Sequence, residues 1–461
     1  MDLQLRISGE HHKRLKEHLL PNDGLEAVAI ALCGRHTAEN ITIFTVHDIT
    51  LIPYVDCKRE VNLITWPTTL VESYFERIGK SDLAIMKIHS HPGGYRAFSE
   101  TDDDSDHEFF SSVFGWATNE KPHLSTIMLP DGELFGRAFF SDLSNFSLKK
   151  VMVVGDTVQV FRDSSYLEHG DFAQRNRQTF GDTTYSMLNA LHIGVVGCSG
   201  TGSPLIEQLV RLGVGQITIV DPDSIEEKNL NRILNSSLSD AKSNKSKVEV
   251  LKDAINRIGI GTKVNAIQAN LYDNKSISGQ LIPCDFIIGC MDSVDGRYLL
   301  NQLAAFYILP YLDLGVKLEA DGKGSINKIC GSVHYIQPGK SSLITRGVYT
   351  IDDMRAASQY RKNPMEFENL RKNSYIKNIN VNAPAVISVN MSIASMAVNE
   401  FLNRIHPYKA DSPDQYAQTT IDITENCMVN VAEADFQVDQ YLKKKVGRGD
   451  IDPFIEMPEL S

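Results

Sequence analysis

His89-Ser90-His91 closes the largely apolar run Leu83 to Ile88, and Asp102 follows eleven residues on. Two histidines one residue apart on an extended segment point the same way, so both imidazoles reach one ion. With the carboxylate they make three protein ligands and leave a fourth tetrahedral position open, the arrangement of a catalytic rather than a structural zinc. Pro92, Gly93 and Gly94 supply the turn that returns the chain. The competing reading is a pair of solvated histidines beside an ordinary acidic loop over Asp102 to Asp104 and Asp106. His107 reads as surface.

A second pattern, Gly197-Cys198-Ser199-Gly200-Thr201-Gly202, follows a β-run and opens a helix. Its glycines permit a tight turn and a close approach of phosphate to a helix N-terminus. Asp221 ends the next β-run, 19 residues after Gly202, where a carboxylate accepts a ribose hydroxyl. Alone, this pattern says nucleotide or dinucleotide, against a glycine turn used only for packing.

The elements that must position these residues fall into two rhythms. In the first third, β-rich runs at Ala27 to Leu32 and Ile41 to Val46 alternate with a helical pattern over Thr68 to Ile78, which predicts a compact α/β domain. Runs Val151 to Val154 and Val158 to Phe161 precede a polar stretch, Arg162 to Gln178, that lacks hydrophobic periodicity and is read as the boundary. From Leu191 the order is strand, glycine turn, helix, strand: Leu191 to Val196, Ser203 to Leu212, Gln216 to Val220. A helix at Lys247 to Ile258 and strands at Val264 to Gln268 and Asp285 to Gly289 continue it, predicting a Rossmann-like, doubly wound, mostly parallel sheet. The expected domains are 1–165 and 170–461. Gly339 to Lys377, charged and poor in β-branched residues, is expected as an excursion over the surface.

Composition narrows the class. A chain of 461 residues with 42% hydrophobic and 23% charged residues is globular, not disordered or fibrous. Acids outnumber Lys and Arg by 58 to 46, and no basic block offers a footprint for a phosphate backbone, so no nucleic acid partner is expected. The uncharged stretches Thr183 to Ile206 and Asn378 to Asn399 are broken by glycines and by Asn and Ser, so no membrane span is expected. The start, Met1-Asp2-Leu3-Gln4, has no signal-peptide character. Seven cysteines without a Cys-x-x-Cys pair suit a reducing cytoplasm.

The string His89-x-His91-Pro92, then Ser99-x-x-Asp102, resembles the JAMM motif of the JAB/MPN metallopeptidases, over roughly residues 1 to 150. That family also uses a glutamate ahead of an apolar strand and a glycine, which Glu26, Ala27 to Cys33 and Gly34 match. The resemblance implies zinc on His89, His91 and Asp102, Glu26 as general base on the attacking water, and Ser99 as a donor to the tetrahedral oxyanion.

From about residue 170 to 461, the chain resembles the ThiF/MoeB family, the adenylating domain shared with ubiquitin-activating enzymes. The residues are the glycine loop, Asp221-Pro222-Asp223-Ser224-Ile225, Asn229-Leu230-Asn231-Arg232, Lys247-Val248-Glu249 and Cys290-Met291-Asp292, with Arg175-Asn176-Arg177-Gln178 as an entry segment. The resemblance implies that Gly197, Gly200 and Gly202 admit the phosphates of ATP, Asp221 holds the ribose, and Asn229, Arg232 and Lys247 hold the phosphates. It further implies Mg²⁺ on Asp292 and Arg177 as an arginine finger supplied by the neighbouring subunit of a homodimer. Cationic groups suit a reaction in which a carboxylate attacks the α-phosphorus and pyrophosphate departs.

Two departures qualify the match. Ser199 stands where the loop usually has glycine, and the turn Pro338-Gly339-Lys340-Ser341-Ser342 has no cysteine nearby. Cys290 and Cys330 are read chiefly as core residues, with Ser341 or Ser342 as a more remote nucleophile. Pro384 to Ile405 is read as a late core helix that begins on its proline.

The fused pair implies a bifunctional enzyme of a ubiquitin-like protein pathway. One half would be a zinc (iso)peptidase processing the C-terminus of a ubiquitin-like protein or its conjugates, and the other would adenylate that C-terminus, with a downstream conjugating or sulfur-transfer partner. The rivals are a cysteine-independent peptide adenylating enzyme of the microcin type and a sensor or scaffold that binds ATP and zinc without turnover.

Overall fold

Apolar residues run almost without interruption through the strands of the N-terminal unit, which is the pattern of a sheet covered on both faces. The computed structural model describes residues 1–38, 40–117, 119–162, 170–272, 275–321, 323–362 and 386–453. It divides into two compact units, the first made of Met1–Ser165 with Ala305–Ile308 and Lys444–Asp452, the second of Tyr166–Ala304, Leu309–Lys443 and Pro453–Ser461.

In the first unit a nine-stranded mixed sheet has the spatial order Val158–Phe161, Lys150–Val154, Asp2–Ser8, Ile41–Leu51, Val28–Ala38, Ala84–Ser90, His123–Met128, Leu134–Phe139, Asn145–Ser147. Alternation sorts its side chains to two cores. Ala29, Ala31, Met86 and Ile88 face Leu15 and Leu19 of helix Gly9–Leu19. Val28, Ile30, Leu32 and Ile85 face Tyr74, Phe75 and Ile78 of helix Glu72–Lys80, and Phe109, Phe110 and Val113 of helix Glu100–Trp116. The sheet is therefore the middle of three layers. Gly34 is needed for close approach, because a Cβ there would overlap the backbone of Gly447 and Gly449 and the hydroxyl of Thr45. The helical pattern expected over Thr68 to Ile78 is a 3₁₀ turn, Thr68–Val71, running into the helix Glu72–Lys80.

The second unit has an eight-stranded sheet in the order Lys263–Ile267, Gln216–Val220, His192–Val196, Phe286–Gly289, Tyr311–Ala320, Ile326–Ile336, Gln418–Asp422, Cys427–Val431. The first five strands are parallel, and the rest extend the sheet antiparallel. Helix Lys247–Ile258 matches the expected bounds because its ends are written locally: the Ser246 hydroxyl caps its start, accepting from Glu249 N–H, and Gly259 ends it at φ 71°.

Three expectations need correction. Residues 174 to 178, expected within an irregular boundary, begin the helix Gln174–Ala190, which bends at Gly181; residues 163–169 of that stretch lie outside the described residues. The segment from Gly339, expected on the surface, turns inward at once, with Ser341, Ser342, Leu343 and Tyr349 buried before helix Ile351–Lys362; its continuation to Lys377 lies outside the described residues. The late helix is Ile387–Ile405, without a proline at its start, and Pro384 lies outside the described residues. Among the described residues, no helix is long and apolar enough to cross a membrane.

Candidate metal centre and nucleotide loop

His89 sits near the end of strand Ala84–Ser90, and His91 N–H donates to Met128 O at 3.0 Å, so the backbone stays extended through both histidines. Gly94, at φ 77°, donates back to His91 O and closes the turn. His91 Nδ1 lies 2.7 Å from Tyr95 O, an atom that can only accept, so Nδ1 carries the proton and Nε2 presents a lone pair. Asp102 arrives from the first turn of helix Glu100–Trp116, where Ser99 and Asp102 form a capping box. The Ser99 hydroxyl accepts from Asp102 N–H and donates to Asp102 Oδ2 at 2.8 Å, so this serine aims the carboxylate.

The three ligand atoms converge. His89 Nε2 lies 3.2 Å from His91 Nε2 and 3.0 Å from Asp102 Oδ1, and His91 Nε2 lies 3.5 Å from Asp102 Oδ2. Zinc bonds of roughly 2.0–2.1 Å in a tetrahedron separate ligand atoms by about 3.3 Å, so the set fits that ion. All three atoms lie within 4.8 Å of one another.

Glu26 lies before strand Val28–Ala38, with its N–H on Glu60 O at 3.0 Å and its carbonyl accepting from Arg59 Nε at 2.7 Å. The next residue is tied to the histidine strand, for Ala27 N–H donates to Ser90 Oγ at 3.0 Å. Ser90, the spacer of His-x-His, thus ties the segment after Glu26 to the histidine strand, a contact the sequence did not reveal. Burial pushes the Glu26 carboxyl up to about 7, with Asp102 adding to the rise and His91 and Lys87 opposing it. Glu26, His89 and Asp102 line a cavity of 1220 Å³ walled by Trp66, Phe75, Phe109 and Trp116.

In the second unit, Gly197 leaves strand His192–Val196 at φ 96° and donates its N–H to Val220 O. A Cβ at Gly197 would overlap Cys290 backbone, one at Gly202 would overlap Gly197 O, and one at Gly200 would overlap the side chain of Asn390. Asp221 accepts Cys198 N–H on Oδ2 and Asp223 N–H on Oδ1, and Lys247 Nζ lies 3.4 Å from Asp221 and 2.6 Å from Asp223. Burial pushes the Asp221 carboxyl up while Lys247 and the two N–H groups pull it down.

The loop gathers some expected residues and not others. Arg232 lies against Gly200 and bonds Lys228 O and Asn231 Oδ1. Asn229 is buried, its Oδ1 accepting from Glu226 N–H. Asp292 is exposed in the loop after strand Phe286–Gly289. Arg177 pairs with Asp182, while the adjacent Asn176 bonds Arg211 O at the far end of helix Gly202–Arg211, about 15 Å from the loop at ~1.5 Å per residue. Arg177 is therefore not brought to the loop of its own chain. Asn390, buried on the late helix beside Gly200, was missed because nothing in the sequence tells which face of that helix meets the loop.

Cys290 and Cys330, read chiefly as core residues, and the more remote candidates Ser341 and Ser342 are placed differently from one another. Burial around sulfur pushes the Cys290 thiol far up, although the residue as a whole is only half-buried. Cys330 pairs with Lys317 and Asp422 across the sheet, remote in register from the glycine loop. Ser341 donates to Glu433 at 2.7 Å and Ser342 to Asp439 at 2.6 Å, both buried rather than on the surface expected for this stretch.

The two units define a fusion of a JAB-like α/β domain with a doubly wound domain of adenylating type. Residues 173–438, more than half of the chain, match the model of the ThiF family, and the chain belongs to that family. Residues 8–128 match prokaryotic homologs of the JAB domain. The chain is 28% identical over 208 residues to the adenylyltransferase and sulfurtransferase UBA4 of Meyerozyma guilliermondii, covering 43% of this chain and 47% of that protein. It is 27% identical over 169 residues to the ubiquitin-like modifier-activating enzyme 5 of Dictyostelium discoideum, covering 34% of this chain and 42% of that one. These matches span less than half the length of either relative. E. coli MccB with ATP superposes with a TM-score of 0.44 at 17% identity, covering 57% of this chain and 72% of that chain.

Proposed function

We propose that the first unit is a zinc-dependent (iso)peptidase acting at the C-terminus of a ubiquitin-like protein or its conjugates, and that the second adenylates that C-terminus with ATP and Mg²⁺. The observation that carries the first half is the convergence of His89, His91 and Asp102, with His89 and Asp102 lining the same cavity as the buried Glu26. Zinc in such a set supplies Lewis acidity and an open coordination position. Glu26, buried beside the ligand set, would take a proton from the attacking water and return it to the leaving amine.

The second half rests on family membership and on the glycine loop with Asp221, Lys247 and Arg232 around it. ATP supplies the adenylyl group; Lys247 and Arg232 bring positive charge to the loop, and Asp221 holds its backbone. With the Cys290 thiol suppressed and Ser341 and Ser342 committed to carboxylates, the acyl-adenylate passes to an external acceptor without a thioester on this chain. Partners are a ubiquitin-like substrate and a downstream conjugating or sulfur-transfer protein, and the unit acts as a homodimer in the cytoplasm.

The experiment is to purify a Glu26→Gln chain, identify retained protein by mass spectrometry, and give that protein to wild type with ATP and labelled pyrophosphate. A retained ubiquitin-like protein that supports pyrophosphate exchange is expected. Binding of a nicotinamide dinucleotide in preference to ATP, or no hydrolysis of the retained protein by wild type, overturns the reading.

A further inference from the structure

Two residues before His89 on the same face of its strand stands Lys87, a lysine only 4% exposed. Its register neighbour is Ser125, whose own neighbour is Arg137, so Lys87, Ser125 and Arg137 form one row across three adjacent strands. Opposite the row is Asp106 of helix Glu100–Trp116, with no exposure at all. Lys87 Nζ donates to Asp106 Oδ1 at 2.8 Å and to Ser105 Oγ at 2.8 Å. Arg137 donates to Asp106 Oδ2 from Nη2 at 2.7 Å and Nε at 3.2 Å, and its Nη1 holds Asp103 at 2.5 Å. The Arg137 guanidinium also covers the ring of Phe98 at 3.8 Å.

A buried carboxylate gripped on both oxygens is costly to desolvate and strongly directional. Its position in the fold gives that directionality a use. Asp106 lies one helical turn after Asp102, about 6 Å along the axis, and Lys87 lies two strand residues before His89, about 6.6 Å away. The contact Lys87–Asp106 and the approach His89–Asp102 are thus successive rungs between the same strand and the same helix. Fixing the lower rung fixes the height of the upper one.

We propose that Asp106, clamped between Lys87 and Arg137, is the positioning residue of the metal centre, setting where helix Glu100–Trp116 presents Asp102 to His89 and His91. This inference rests on the metallopeptidase reading of that site. Lys87 and Arg137 act through Asp106, since neither is a ligand. The clamp also explains why a buried carboxylate with two cationic partners persists where apolar residues of similar volume would serve stability equally well.

The test measures zinc affinity of the full chain against a chromophoric chelator, and the visible absorption of the cobalt(II)-loaded chain, in wild type, Asp106→Asn, and the apolar triple variant Lys87→Met, Asp106→Leu, Arg137→Met. Outer groups that orient ligands typically govern 10–100-fold of metal affinity. Zinc affinity is expected to fall by that factor in both variants with altered cobalt bands, while the triple variant unfolds near the wild-type temperature. Should Asp106→Asn fail to fold, the triple variant decides. Unchanged zinc affinity and cobalt spectrum in a folded variant overturn the clamp, provided His89→Ala has lost zinc. Zinc retained by His89→Ala, or absent from wild type, overturns the metallopeptidase reading and the clamp with it.

Discussion

Asp221 Oδ2 accepts the backbone N–H of Cys198 at 2.7 Å, so the carboxylate that ends one strand pins the glycine loop that ends the neighbouring strand. The other oxygen holds Asp223 N–H, and Lys247 balances the charge. Asp221 is thus committed to loop geometry before any ribose arrives.

Asp221→Ala should therefore leave a buried N–H without a partner and half-free a buried lysine. A loss of about 1–3 kcal/mol in unfolding free energy is expected, with pyrophosphate exchange down by more than about tenfold. Asp221→Asn, which keeps the acceptor oxygens in part but not the charge, should fall between. Denaturant titration and an exchange assay read the two effects separately, and wild-type exchange in the alanine variant would remove Asp221 from the loop's support.

The two inner glycines should respond differently to the same change. A Cβ at Gly202 would overlap a backbone oxygen, which cannot turn aside, whereas one at Gly200 would overlap the amide end of Asn390. Gly202→Ala is expected to cost about 1–3 kcal/mol of stability, as overpacking does, and to abolish ATP binding. Gly200→Ala should lose less, and Asn390→Ala combined with it should recover part of the loss. Strict additivity of Gly200→Ala and Asn390→Ala in calorimetric ATP binding would show that the two side chains do not compete for space.

How far the sequence carried these sites follows from the range of each determinant. The strands Gln216–Val220 and Lys247–Ile258's helix were legible to the residue because their signals are local: β-branched runs, a serine cap, a terminal glycine. His89, His91 and Asp102 were legible because a strand and a capped helix start impose short, fixed spacings. The clamp on Asp106 was not, since Lys87, Arg137 and Asp106 meet only through sheet register, and in sequence each reads as an ordinary charge. The burial of Ser341 and Ser342, on a stretch expected at the surface, was hidden for the same reason: their partners Glu433 and Asp439 lie more than ninety residues away.

Arg177 offers a test of assembly. It pairs with Asp182 near the far end of helix Gly202–Arg211, so a role at the phosphates requires a neighbouring copy of the chain. Arg177→Ala and Asp292→Ala chains should each lose pyrophosphate exchange, and their mixture should regain it, because a mixed dimer contains one intact composite site. Light scattering confirms the dimer, and a dimeric mixture without recovery would exclude Arg177 from the partner's site.

Acid should destabilise the first unit through His123. This residue is wholly buried on strand His123–Met128; its Nδ1 accepts Ile85 N–H at 3.0 Å, and the edge of the Phe114 ring packs against it. Burial, assisted by the Arg35 guanidinium, pushes its pKa down to about 3 from the ordinary 6.5. Between those values the unfolded chain binds a proton that the folded chain refuses, so stability is level above about pH 6.5 and falls as pH drops towards 3, by up to about 1.4 kcal/mol per pH unit. His36, lowered to about 4, adds to the same slope. Glutamine at position 123 retains an acceptor for Ile85 N–H without a titrating group. His123→Gln is therefore expected to lose some stability at pH 7 through imperfect packing, yet to close the gap on wild type as pH falls from 6.5 to 4. Denaturant unfolding across that range, with a chelator present so that metal affinity adds no pH dependence of its own, measures the difference. Parallel curves for the two proteins would show that His123 is not the group whose protonation the fold resists.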